Sequence, residues 1–309
     1  MTRFIQLLRR LVQPCDMEAV EASIDDLRLA IGRHESRSVR ERTFGDIRDA
    51  EFKVFSQWGE DGIIQYLLSK VPIPHRQFVE FGVESFAESN TRFLMTNDNW
   101  RGVIIDASDA PRAFLARRGL GWRHDVQTIR AFITTENINA LLRRGGAEGD
   151  IGLLSIDVDG NDYWILQAID SVSPRILVVE YNSVFGPEHE LTIPYRPEFM
   201  RSAAHSSNLY YGASLAAISR AAVAKGFRFV GSNSAGSNAF FVRADVVGDL
   251  PSPTVSDGWV ESRFRESRDE RGRLTLVSAH EDRLRLIRDL PVVDLRAGRE
   301  RTISDVFGV

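Results

Sequence analysis

Apolar positions recur along the chain with two different periods. Met17, Val20, Ile24, Leu27 and Ile31 are spaced by 3, 4, 3 and 4 residues, the stripe of an amphipathic helix that docks on its own body or on a partner. Ahead of it, Phe4, Leu7, Leu8 and Leu11 line one face of a shorter segment carrying Arg3, Arg9 and Arg10, and Pro14 separates the two. From about residue 51 the pattern changes to helices alternating with strands. Ile63, Ile64, Tyr66, Leu67 and Leu68 read as a helix stopped by Pro72. The runs 77–83, 101–107, 151–159 and 175–182 are short and rich in Val and Ile, with a weaker one at 121–127. Near-continuous apolar strands of this kind are buried on both faces, as in a mainly parallel sheet.

The end of the block breaks this rhythm. A helix over 210–226 leads into FRFVGSN, a four-residue turn SAGS and NAFFVRAD. Such a hairpin is antiparallel, so the last strand must run against the others. The expected fold is therefore α/β, a Rossmann-like sheet of the class I methyltransferase outline with its last strand antiparallel. Residues 1–50 read as a helical extension, 51–248 as the sheet domain and 249–309 as a polar, Arg-rich appendage folded over the body.

Composition narrows the function classes. Of the 309 residues 43% are hydrophobic and 27% charged, which excludes disorder for most of the chain. Thirty-nine basic against 43 acidic residues leave a net charge of −4, so no global basic field attracts nucleic acid. The single Cys15 cannot form an internal disulfide, and no Cys/His cluster has zinc spacing. No apolar run reaches the roughly 18 residues of a membrane span. The opening residues are too Arg-rich for a signal peptide, which makes a cytoplasmic protein the expectation. Peripheral membrane contact through residues 3–12 and a homo-oligomer built on the 17–31 stripe are the partner expectations.

Ligands of an open α/β sheet bind beyond the carboxyl ends of its strands, and those ends are rich in acids. The first strand ends Glu80-Phe81-Gly82-Val83-Glu84 and the second Asp106-Ala107-Ser108. A carboxylate at Asp106 suits the paired hydroxyls of a ribose. Asp125 closes the predicted third strand, where it could meet an adenine amino group. In SIDVDGNDYW, Asp157 and Asp159 share a strand face, and Asn161 or Asp162 opens the next helix as an N-cap does. Glu180 and Asn182 end the fifth strand with oxygen ligands of the type Mg²⁺ prefers. His189 in the loop FGPEHELTIPY is the candidate general base, ahead of His124 and His205.

The succession FSQWGEDGIIQYLL, FVEFGV, WRGVIIDAS, LLSIDVDGNDYWIL and VVEYN resembles FkbM-type S-adenosylmethionine-dependent methyltransferases over roughly residues 52–245. The resemblance implies an O-methyltransferase acting on a small-molecule or carbohydrate acceptor. It implies S-adenosylmethionine near Glu80, Gly82, Glu84, Asp106 and Ser108, with Asp125 by the adenine and Asp157 by the methionine portion. A looser similarity to macrocin-type O-methyltransferases implies Mg²⁺ held by Asp157 or Asp159 with Glu180 and Asn182. From the residues themselves, Asp159 and His189 are the expected catalytic groups. The first loop departs from the glycine-rich G-x-G-x-G pattern, since Val83, Glu84, Ser85 and Phe86 follow Gly82. The alternatives are an NAD or nucleotide-sugar Rossmann enzyme, disfavoured by the reversed hairpin, and a non-catalytic scaffold that binds a partner through its helical N-terminus.

Overall fold

The computed structural model describes residues 17–263 and 266–309, so the expectations attached to residues 3–12 and to Cys15 lie outside the described residues. Its strands are β1 (Gln77–Phe81), β2 (Arg101–Asp106), β3 (Val126–Arg130), β4 (Gly149–Ile156), β5 (Val172–Glu180), β6 (Leu191–Thr192), β7 (Phe227–Ser232), β8 (Asn238–Arg243), β9 (Pro291–Asp294) and β10 (Arg299–Thr302). The helices are α1 (Met17–Arg40), α2 (Glu60–Lys70), α3 (Arg92–Asp98), α4 (Ala110–Arg117), α5 (Ile138–Arg144), α6 (Asp162–Ala168), α7 (Arg201–Ala204), α8 (Leu215–Ala224), α9 (Val255–Gly258), α10 (His280–Leu286) and α11 (Ile303–Phe307).

Seven strands form the main sheet in the order β3-β2-β1-β4-β5-β8-β7. The first five are parallel, and β8 inserts between β5 and β7 antiparallel to both. This is the Rossmann-like arrangement of class I methyltransferases, with strand order reversing between β1 and β4. Alternate side chains explain the two layers. Val79, Val103, Leu154 and Leu177 face α5, α6 and α8, while Phe78, Ile104, Leu153 and Ile176 face α2, α3 and α4. The third strand lies later than its predicted position. Residues 121–125 are not strand, with a turn over 121–123, and β3 is an edge strand in which only Ile129 is buried, so it carries no continuous apolar run.

The amphipathic stripe of α1 does not face the body. Val20, Ile24, Leu27 and Ile31 are exposed, and α1 docks instead through Asp25, Leu29, Gly32 and Ser36. Asp25 accepts from the buried Arg92 at 2.5 Å and from Arg118, while Ser36 donates to Gln65 at 2.7 Å. Burial of these charged and polar groups requires their pairing, and that outranks the apolar stripe in choosing the docked face. At the other end of the chain, β9 and β10 join β6 in a second, three-stranded sheet. Leu284, Ile287, Val292 and Ile303 share one small core with Phe185, Leu191, Phe199 and Tyr210, so the C-terminal segment and the stretch after β5 form one layer. No helix among the described residues is long and apolar enough to cross a membrane.

The SQWGED segment is organised by its two acids. Oδ2 of Asp61 accepts the N–H groups of Val54, Phe55 and Ser56 and the Ser56 hydroxyl, each at 2.8 Å. Oε1 of Glu60 accepts from Asn233 and Asn238, which ties this loop to the β7–β8 turn. Burial pushes the Asp61 carboxyl up to about 6, against the hydrogen bonds that favour its ionised form. A carboxyl whose folded pKa is raised contributes stability at low pH that is lost as pH rises through the folded value. The loss between about pH 4 and pH 6 amounts to roughly 3 kcal/mol at most. Asn at this position retains an acceptor but cannot titrate. The melting temperature of Asp61→Asn relative to the parent chain is therefore expected to rise steadily from pH 4 to pH 7, and a constant difference across that range would contradict the assignment.

Candidate functional site

A cleft of about 1070 Å³ opens at the carboxyl edge of the main sheet. Its floor is made by residues at and just past the carboxyl ends of β1, β4 and β5, including Glu80, Gly82, Asp157 and Glu180. Its roof is made by Phe199, Met200, Arg201 and Asn208 together with Glu266, Arg268 and Leu274 from the C-terminal segment. Trp58 and Asn238 close one side, and Phe132, just beyond β3, another.

The turn after β1 is shaped by steric contact with β4. Gly82 has φ +65°, and a Cβ there would lie 1.7 Å from the carbonyl oxygen of Asp157. The glycine thus lets two strand ends touch. Glu84 and Phe86 follow in left-handed conformations, and the Glu84 N–H donates to Asp106 Oδ2 at 3.0 Å. A compact, tied turn stands in place of a G-x-G-x-G run of glycines. Glu80 is spent within it, accepting from the Ser89 and Thr91 hydroxyls and from the Asn90 N–H.

The carboxylates of Asp157, Asp162 and Glu180 converge, each offering an oxygen within 4.8 Å of the others. Glu180 is 8% exposed, and its Oε2 has no hydrogen-bond partner. Burial, then the charges of Asp159 and Asp162, raise the Asp157 carboxyl well above its ordinary range. Burial and the Asp157 charge do the same to Glu180. The two together therefore retain a proton to unusually high pH. Asp162 is oriented differently. Its oxygens accept the N–H groups of Val158 and Gly160 at 2.8 and 2.9 Å, and burial pushes it up to about 6.

Arg201 is the fixed cation beside this cluster. It bonds Asp159 at 2.8 Å, Glu266 at 3.3 Å and the Asn208 carbonyl at 2.8 Å, and its guanidinium lies 3.8 Å from the centre of the Tyr211 ring. The left-handed backbone of Asp159 (φ +54°) turns its side chain away from Asp157 and toward Arg201, so the two do not act as a pair of ligands. Asp162 takes the place that the strand pattern assigns to Asp159.

The cleft thus gathers Glu80, Gly82, Glu84, Asp157, Asp159 and Glu180. Asp106 and Ser108 do not line the cleft but a second hollow of about 190 Å³, where Asp106 Oδ1 accepts from the Ser108 N–H and hydroxyl. Three sequence candidates fall elsewhere. Asp125 precedes β3 and stands at the amino edge of the sheet, its carboxylate 3.7 Å from Arg101. Asn182 is buried behind the site, donating to the carbonyls of Leu209 and Tyr211 and accepting from Val184. His189 packs edge-on against Phe307, ring centres 5.0 Å apart, in the small C-terminal layer. Among the described residues no histidine lines the cleft. Arg201 and Glu266 were invisible to motif reasoning because both lie in stretches without periodicity.

No known family profile matches the chain, and no curated protein matches it. Solved structures do. An O-methyltransferase family protein from Burkholderia thailandensis aligns with TM-score 0.36 and 13% identity, over 78% of this chain and 59% of that one. An O-methyltransferase from Bacillus cereus, in complex with S-adenosylhomocysteine, aligns with TM-score 0.35 and 15% identity over 76% and 94%. The mitomycin 7-O-methyltransferase gives 0.36 and 18% over 55% and 49%. The chain thus spans less than two thirds of the first of these. The strand order and the reversed β8 define the fold independently of these alignments.

The contact at Gly82 has a measurable consequence. Gly149 has nearly the same φ, +66°, but open space where a Cβ would go. Gly149→Ala is expected to lose only the backbone strain of about 1–2 kcal/mol. Gly82→Ala adds a backbone clash and should lose at least ~2 kcal/mol more in denaturant unfolding. Equal losses would show that the turn does not rest on Asp157.

Proposed function

We propose that the chain is an S-adenosylmethionine-dependent O-methyltransferase acting on a hydroxyl of a sugar or glycosylated natural product. The observation that carries this reading is the pairing of half-buried Asp157 with buried Glu180, at the carboxyl ends of neighbouring strands in a sheet of this order. An NAD-binding Rossmann sheet would continue with parallel crossovers instead of the reversed β8.

Residues fit for the cofactor lie along the floor. The 82–85 turn, Asp157 and the Phe132 ring border the cleft, and Asp106, tied to that turn through the Glu84 N–H, offers acceptors for a ribose with the Ser108 hydroxyl beside it. When bound, the cofactor supplies an electrophilic methyl carbon and leaves as the neutral thioether. The chain's own work is to hold the acceptor oxygen in line and to take its proton. With His189 remote, the Asp157–Glu180 pair is the base. Ionised, it can receive the hydroxyl proton as the oxygen–methyl bond forms. The upper walls support a polyhydroxylated acceptor. Asn90, Asn208, Asn238 and Glu266 offer donors and acceptors, while Trp58 and Phe199 offer ring faces.

A specific observation favours a second form of the mechanism. The oxygens of Asp157, Asp162 and Glu180 fit a hard divalent cation, and the unpartnered Glu180 Oε2 is an acceptor in need of one. Mg²⁺ there would stabilise the acceptor oxygen as it loses its proton. Chelation with EDTA followed by Mg²⁺ add-back decides between the two, since full activity in chelator leaves the carboxylates alone as the base.

Two further outcomes follow. Asp106→Ala should weaken S-adenosylhomocysteine binding by roughly 10- to 150-fold in calorimetry, the worth of a charge-assisted hydrogen bond. Unchanged affinity in a folded variant would falsify the ribose assignment. Because the pair ionises only above the ordinary carboxylate range, kcat/KM should rise with pH across that ionisation. Glu180→Gln removes the neighbouring negative charge and should move the rise to lower pH while reducing kcat. A pH profile identical to the parent's would rule out the pair as the base.

A further inference from the structure

The outward face of α1 is unusual for a surface helix, because its apolar stripe points to solvent and its polar side holds the protein. Leu27 and Ile31 are 65% and 62% exposed, and Val20 and Ile24 continue the same line. The docked residues Asp25, Gly32 and Ser36 lie roughly 130° around the helix at about 100° per residue. The stripe is therefore directed well away from the body.

We propose that this face pairs with the same face of a second copy, the two helices running antiparallel about a two-fold axis between Ile24 and Leu27. Self-complementarity along the helix supports a second copy over a foreign partner. In that register Ile24 meets Leu27 of the partner subunit, and Val20 meets Ile31 of the partner subunit, so each of these four residues has an apolar counterpart. Charge follows the same symmetry. Glu21 flanks the stripe in its first half and Arg28 in its second, and antiparallel pairing sets each against its opposite. Both are more than half exposed, with only weak partners of their own, at 3.3 Å to Arg118 and 3.9 Å to Asp25. The other flank carries the small Ser23 and Ala30, which permit close approach of the two backbones. A parallel two-fold pairing would instead set the Glu21/Arg28 flank against the Ser23/Ala30 flank of the second copy, leaving both charges without a match. Four apolar side chains per helix make a small interface, so the dimer is expected to be concentration-dependent.

Sedimentation velocity of the full chain over a broad concentration series tests this independently of any catalytic reading. The expected result is a monomer–dimer equilibrium. Leu27→Glu should leave a monomer throughout, with an unchanged melting temperature because the position is exposed. Arg28→Glu should weaken the dimer about tenfold or more, and Glu21→Arg combined with Arg28→Glu should restore it. That restoration distinguishes antiparallel pairing from a merely sticky stripe. A parent chain that stays monomeric at every concentration overturns the proposal, as does a dimer that survives Leu27→Glu. Loss of self-association on removing residues 1–16 alone, with the stripe intact, overturns it equally.

Discussion

Two facing carboxylates at adjacent strand ends, Asp157 half-buried and Glu180 buried, set the terms for the rest of this structure. Asp157 and Glu180 offer oxygens within 4.8 Å of each other and resist ionising together without relief. Burying like charges is costly unless opposite charge or hydrogen bonds offset it. The surroundings are arranged to that end. Asp159 turns out to Arg201 through a left-handed backbone, Asp162 is satisfied by two N–H groups of its own loop, and Arg201 is held by Tyr211, Asn208 and Glu266. What remains unsatisfied is the Glu180 oxygen that faces the shared cluster.

The cleft is assembled from parts far apart in sequence. Gly82 allows the β1 turn to press on the Asp157 carbonyl, which fixes the floor. Glu60 reaches the β7–β8 turn through Asn233 and Asn238, which fixes one wall. The roof depends on the C-terminal segment, because Glu266 is one of the groups that position Arg201 and because the core of residues 280–309 is shared with the stretch after β5. The appendage is thus structurally continuous with the site.

At the amino end the same preference for satisfied charge decides orientation. Arg92 is buried and needs Asp25, so α1 is docked on the side of its acid and not on the Val20–Ile31 stripe. An apolar face is left outward as the consequence of pairing a cation inside.

The sequence by itself determined the sheet. Four runs of Val and Ile, the helices between them and the hairpin 227–243 specify parallel strands followed by a reversed one, because strands covered on both faces must be apolar throughout. The strand-end acids Glu80, Asp106, Asp157 and Glu180 were legible for the same reason, since the carboxyl edge is where such a sheet exposes its residues to a ligand. Tertiary structure alone decided which acids act together. Period-2 alternation assigns Asp157 and Asp159 to one face, but the chain leaves the strand at Ile156, and past that point loop dihedrals rather than pleat direct each side chain. His189 and Asn182 show the same limit. A loop histidine follows its hydrophobic neighbours to Phe307, and a strand-end amide turns inward to meet backbone carbonyls. The edge strand β3 was misplaced, taking Asp125 with it, because a strand half open to solvent has little apolar signal to locate it. Arg201 and the outward stripe of α1 were decided last, by which buried charges found partners, and that pairing exists only once the chain has folded.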